Sequence, residues 1–159
     1  MADVNSYLVG WSIRFLENKD HIKKEIVKVK KNSEGFDFAV HYKDKVKYFI
    51  VGTVLKSDLF GKIKNELNIS LITLNNISNI KFVIDNWKKL SDFKLLSIYF
   101  INPFSNSDKV WVICPYIHNM VCDNIALELG LKSMGEMVVA IDVDGLNKKI
   151  KMLKEESDQ

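Results

Sequence analysis

The stretch Glu34–Leu55, EGFDFAVHYKDKVKYFIVGTVL, constrains this chain more than any other. In its first half Phe36, Phe38, Val40 and Tyr42 point one way, and Asp37, Ala39 and His41 the other. That is the period-two pattern of a strand with two unlike faces. Its second half, Val46–Leu55, carries no charge after Lys47 and is almost wholly apolar from Tyr48 onward. Such a run reads as a central strand covered on both faces. Lys43-Asp44-Lys45 supplies the hairpin turn, without the glycine that tight hairpins favour. A chain holding this pair must build a sheet and cover both of its sides.

The rest of the pattern supplies the covers. Asp3 or Ser6 can cap a first helix with an apolar stripe of Tyr7, Leu8, Trp11, Phe15 and Leu16. Glu25–Lys31 alternates Ile/Val with lysine and reads as a strand. Ser57 or Asp58 caps a helix through about Leu67, and Asn76–Leu90 reads as another, with Ile77, Ile80, Val83, Ile84 and Trp87 on one side. Leu95–Ile101 and Lys109–Cys114 are buried-type strands joined by the loop NPFSNSD. Tyr116–Leu129 reads as a helix ended by Gly130 at C′, Met137–Ile141 as a last strand, and Asp144 as the cap of a final helix. The order α, β, β, β, α, α, β, β, α, β, α predicts an α/β (α+β) fold: a central mixed sheet flanked by helices.

A chain of 159 residues is read as a single domain, 1–159. At that size folding buries about two-thirds of the unfolded surface without disulfide or metal staples. No apolar run approaches the roughly 20 residues of a membrane span. The start, MADVNSYLVGW, lacks a basic n-region, and two cysteines are too few for a disulfide framework. A cytoplasmic location is the resulting expectation, with no membrane partner.

Net charge is +3, and its distribution says more than the total. His21–Lys31 carries five lysines and one glutamate, and Lys43, Lys45 and Lys47 follow. Lys28, Lys30, Lys31, Lys43, Lys45 and Lys47 are therefore the candidates for a face that binds DNA or RNA. The alternative is that they solvate an exposed sheet and discourage edge pairing.

Three segments together resemble the restriction-endonuclease-like PD-(D/E)XK superfamily. EGFDFAV is similar to the strand that presents its first metal-binding acid, KVKYFIVGTV to the next strand, and KVWVICPYIHNMVCDNIALELGLKSM to its late strand and helix. The resemblance covers about residues 3–142 and implies a helix, a three-strand meander, a helix, then strand, helix and strand. It makes Asp37 the residual catalytic candidate. The acid-x-lysine pair of active members falls at Val51 and Thr53, or at Gly52 and Val54, and neither pair can hold a metal or move a proton. Phosphodiester cleavage needs clustered carboxylates around Mg²⁺. Glu17 and Glu34 are the nearest carboxylates to recruit, and Lys56 the nearest base or cation. Asp37 also has a structural reading, as a strand-end hydrogen bonder or the partner of a lysine on the neighbouring strand.

Other constellations add little. Cys114, His118 and Cys122 are spaced by four residues, and thiolate plus imidazole suits zinc, but a fourth ligand is missing. Asp142-Val143-Asp144-Gly145 is a fragment of a calcium loop and is better read as helix capping. No phosphate-cradling glycine motif or Gly-x-Ser-x-Gly elbow is present, so no cofactor is expected beyond Mg²⁺ for a nuclease. Trp11, Trp87 and Trp111 read as core, and Phe104, in a polar loop after Pro103, as a contact residue or a loop packed back on its own sheet. The expected function is a non-catalytic nuclease-like protein that binds nucleic acid or serves as a scaffold in a nucleic-acid-processing complex. The alternatives are a metal-dependent nuclease with a rearranged site, and an oligomeric subunit whose apolar strands form the interface.

Overall fold

The structure, a computed structural model, describes residues 2–158, the side chains of residues 2, 3 and 124 apart. Its centre is a six-stranded sheet whose strands lie side by side in chain order. They are β1 (Ile26–Ser33), β2 (Phe36–Tyr42), β3 (Val46–Val51), β4 (Asn68–Leu74), β5 (Ser97–Ile101) and β6 (Val110–Ile113). β1, β2 and β3 form an antiparallel meander; β3, β4 and β5 run parallel; β6 is antiparallel to β5. The helices are α1 (Ala2–Lys19), α2 (Ile77–Asp85), α3 (Trp87–Leu90), α4 (Pro115–Val121), α5 (Leu127–Gly135) and α6 (Val143–Ser157). The mixed α/β class expected from the pattern is the one observed.

Two apolar layers hold the sheet. On one face Leu8 of α1 and Leu146 and Ile150 of α6 pack on Phe38, Phe49, Ile72 and Ile101. On the other, Ile80, Val83, Trp87 and Leu131 of the α2–α5 group pack on Leu71, Ile98, Phe100 and Trp111. Phe38 stacks on Phe49 with ring centroids 4.5 Å apart, and Phe100 on Trp111 at 4.3 Å. Each pair adds about 0.5–1.5 kcal/mol beyond its buried area. Phe36 departs from the alternation expected of it, joining Tyr48 and the α2–α5 layer while Phe38 and Val40 face α1 and α6.

Several boundaries differ from the expected ones, each for a local reason. The helix expected to reach Leu67 is a short 3-10 turn, Ser57–Gly61, and Asn68–Leu74 is a strand that the pattern did not suggest. That strand is buried on both faces, and its polar Ser70 is hidden by a hydroxyl–hydroxyl bond to Ser97 at 2.7 Å. β3 stops at Val51, after which the Gly52 N–H still bonds Ile72 O before the chain leaves the sheet. Asn76 caps α2 by accepting from Asn79 N–H, and Asn86 (φ −110°, ψ 18°) separates α2 from α3. The helix expected over Tyr116–Leu129 breaks at Cys122, whose backbone is extended, and Asp123 accepts the Ile125 N–H to start a new turn. Gly130 therefore lies inside α5 and not at its end. Met137–Ile141 makes only one bridge, Asp108 with Val138, and is no strand. Asp142, not Asp144, caps α6, accepting the Gly145 N–H at 2.8 Å. Ser6 sits within α1, which begins at Ala2; the Asp3 side chain lies outside the described residues.

Candidate functional site

The expected nuclease residues do not assemble. Asp37 stands on β2 with its carboxylate accepting the Val51 N–H at 2.7 Å, which ties the end of β3 to the start of β2. Its neighbour Phe38 faces α1 and α6, so by alternation Asp37 faces the opposite layer. Glu17 is exposed on α1, across the sheet from it. Glu34 sits in the β1–β2 turn at φ 53° and accepts a hydrogen bond from the Tyr48 hydroxyl. Burial first, and then that hydrogen bond and the Glu34 charge, raise the Tyr48 hydroxyl above its ordinary range. Lys56 is exposed beside a cleft of about 300 Å³ that it lines with Val51, Thr53, Asp58 and Lys62. Among the described residues no three His, Cys, Asp or Glu side chains gather so as to hold a metal ion. Asp37, Glu17 and Glu34 therefore do not form a carboxylate cluster.

An amide clasp occupies the place where β3 leaves the sheet. Asn79 is 1% exposed. Its Oδ1 accepts the Leu55 N–H at 3.0 Å, and its Nδ2 donates to Thr53 O and Leu74 O at 3.0 and 2.9 Å. The segment that would carry an acid-x-lysine pair is thus held by the Asn79 amide together with Asp37, Ile72 O and the Thr73 hydroxyl. Three more asparagines repeat the device beyond β4 and β5. Asn75 Nδ2 donates to Gly135 O and Val138 O, and its Oδ1 accepts Trp111 Nε1–H at 2.7 Å. Asn76 holds Ile141 O and Asn102 holds Val139 O. Burying an amide is costly unless every group is paired, and here the pairing is complete enough to hold the 137–141 segment across the sheet end. Sequence reasoning missed these residues. The available signal was an asparagine directly after each of two apolar strands, Leu74-Asn75 and Ile101-Asn102.

Open α/β sheets commonly bind ligands outside the carboxyl ends of parallel strands. Here that position is a shallow cleft of about 680 Å³ lined by Asn76, Asn102, Phe104, Asp142 and Lys149. The Asn76 and Asn102 amides are already spent on main chain, and Phe104 stacks on Tyr7 of α1 at 5.9 Å. The remaining polar side chains of the lining are Asn106, Asp142 and Lys149, and Asp142 accepts the Gly145 N–H at the start of α6.

The lysines do not share a face. Lys28 lies opposite His41 and Lys30 opposite Ala39, while Lys31 lies opposite Phe38 and Lys47 opposite Val40. The pleat therefore sends Lys28 and Lys30 to one side of the sheet and Lys31 and Lys47 to the other. Lys43 and Lys45 are exposed at the β2–β3 turn. Lys47 is half-buried, and burial followed by the Lys45 charge lowers its pKa.

Cys122 Sγ is 3.8 Å from His118 Nδ1, while Cys114 sits at the other end of α4, just before Pro115. His118 packs edge-on against Trp87, whose Nε1–H donates to Asn119 Oδ1 at 3.0 Å. The inner side of α4 is thereby accounted for. Its outer side is not: Ile117, Met120 and Val121 are exposed at i, i+3 and i+4, and Ile125 and Leu129 continue the patch to 92% and 73% exposure. No family model, curated protein or solved structure matches this chain. No helix among the described residues is long and apolar enough to cross a membrane.

Proposed function

We propose that this protein is a non-catalytic binding subunit: a restriction-endonuclease-like sheet without a working metal site, which pairs with a second copy of itself through α4 and α5. The sheet reading is supported by a leading helix, an antiparallel meander with Asp37 on its second strand, and β4 running parallel to β3. The short turn in place of a helix between β3 and β4 is a departure from the resemblance.

One observation carries the binding role: five large apolar side chains, Ile117, Met120, Val121, Ile125 and Leu129, stand in water along one 117–129 segment. Single exposed apolar residues are ordinary, but a contiguous patch marks an interaction site. The exposed Asp123 and Glu128 stand within the same segment, and Glu128 is paired with Lys132 at 2.8 Å. The patch offers no charge pattern that would select a differently charged partner. Identical apolar faces meet across a two-fold axis without any further complementarity, and that is the commonest closed assembly. Covering a large aliphatic side chain fully is worth about 1.5–3 kcal/mol, and association costs about 4–15 kcal/mol. A patch of this size on each copy favours a dimer in the micromolar range. The doubly charged variant Ile125→Asp with Leu129→Asp tests it by light scattering: it should stay monomeric at concentrations where the parent pairs. Equal association of parent and variant would refute the α4–α5 interface.

Nucleic-acid binding has weaker support. The net charge of +3 and the exposed lysines favour a polyanion, but a duplex needs cations on one surface, and the pleat divides these.

A further inference from the structure

We infer that the outer edge of β1 binds an extended acidic peptide, which adds to the sheet as a further strand. β1 is the longest strand of the sheet, with 8 residues, and among the described residues β2 is its only neighbour there. Ile26, Val29 and Ser33 are half-buried, and the remaining five residues are exposed. Main-chain groups along such an edge are a ready template for another strand.

The edge is held ready. Both Asp20 carboxylate oxygens accept main-chain N–H groups at its entry, from Glu25 at 3.0 Å and Ile26 at 2.9 Å. Glu25 O accepts the Lys43 N–H at 2.9 Å, which fixes the same corner to the β2–β3 turn. A register shift between Ile26 and Lys28 and the positive φ of Asn32 (51°) leave Lys28–Lys31 as the regular part of the edge. A ligand strand laid there pays little to order the protein side.

The lysines choose the ligand. Lys28 and Lys30 project on one side of the strand and Lys31 on the other. An added strand alternates its own side chains between the same two sides, so one with an acid at every second residue sets them all on the side of Lys28 and Lys30. A second β1 edge would bring lysine against lysine and is rejected by like charge. Nucleic acid can use the ammonium groups but does not present donors and acceptors alternating at the strand repeat to the main chain between them. β1 and β6 are the opposite edges of the sheet, and α4 follows β6 directly, so this surface is independent of the dimer face proposed above.

Fluorescence anisotropy on the full chain tests this with a blocked peptide that alternates Val and Glu and matches β1 in length. Its Val–Lys counterpart, a form N-methylated at alternate residues, and a single-stranded oligothymidylate are the comparisons. The Val–Glu peptide should bind at least about tenfold more tightly than either peptide comparison, and should slow amide hydrogen exchange along Lys28–Lys31. Lys28→Glu and Lys30→Glu together should reverse the preference toward the Val–Lys peptide, and the corresponding Gln variant should weaken it without reversal. Both positions are exposed, and circular dichroism checks that the variants stay folded. Equal binding of the N-methylated peptide, or tighter binding of the oligothymidylate, would show a polyanion site with no strand addition. No binding of the Val–Glu peptide would remove the inference outright.

Discussion

At the scale of single residues the sheet end depends on neutral amides and not on acids. Asn79 joins Thr53, Leu55 and Leu74 through one buried side chain. Asn79→Ala leaves the Leu55 N–H and Leu74 O without this partner, while Thr53 O keeps the Thr73 hydroxyl at 3.5 Å, at about 1–3 kcal/mol for each group that finds no new partner. A loss of about 2–4 kcal/mol in urea unfolding is expected, and a loss under 1 kcal/mol would contradict the clasp. Asp37 presents the opposite case. Its work is to accept one N–H, from Val51. Asp37→Asn keeps an acceptor and should cost about 1 kcal/mol or less, whereas Asp37→Ala should cost about 1–2 kcal/mol. With Mg²⁺ or Mn²⁺ supplied, neither the parent nor Asp37→Ala is expected to cut DNA or RNA substrates. Cleavage by the parent that Asp37→Ala abolishes would restore the nuclease reading. Asp37 was legible as a strand residue with a structural option. The asparagines were not, because asparagine in sequence signals a turn and carries no sign of the main-chain groups it will meet.

At the scale of elements the pairing of β2 with β3 was legible from alternation and a central apolar run, but not the end of β3 at Val51 or the turn of Phe36 to the other layer. β4 was not. A short apolar run with Ser70 inside it has no periodicity, and only the Ser97 hydroxyl across the sheet explains how that serine is buried. The break between α4 and α5 was hidden for a similar reason: a continuous helical stripe gives no weight to the Asp123 side chain, which starts a new turn. The meander also carries a pH signature. Burial first, and then the charges of Tyr99, Asp20 and Glu25, push the Tyr42 hydroxyl up to about 12. In the unfolded chain the same hydroxyl ionises near 10. Between those values the unfolded state loses its proton while the folded state keeps it. Tyr42 therefore costs nothing below about pH 10 and destabilises the fold progressively as pH rises toward about 12. The urea midpoint of the parent should fall further between about pH 9 and pH 11 than that of Tyr42→Phe. Parallel falls in the two would show that Tyr42 titrates as it does in the unfolded chain.

At the scale of the molecule the mixed sheet with helices on both faces was legible from element order, while the surfaces that matter were misplaced. The apolar strands expected to form an interface are interior, because β3, β4 and β5 run parallel beneath helices on both sides. The lysines expected to form one face are divided by the pleat. The exposed apolar surface instead lies on α4 and α5, where the turn at Cys122–Asp123 leaves Val121, Ile125 and Leu129 in water. Sedimentation equilibrium over a micromolar concentration series tests the central claim most directly. The account predicts a mass that rises from 18.3 kDa toward twice that value and a doubly charged Ile125→Asp, Leu129→Asp variant that stays at 18.3 kDa throughout. A parent that remains at 18.3 kDa across the whole series, with α4 and α5 as exposed as they are here, would contradict it.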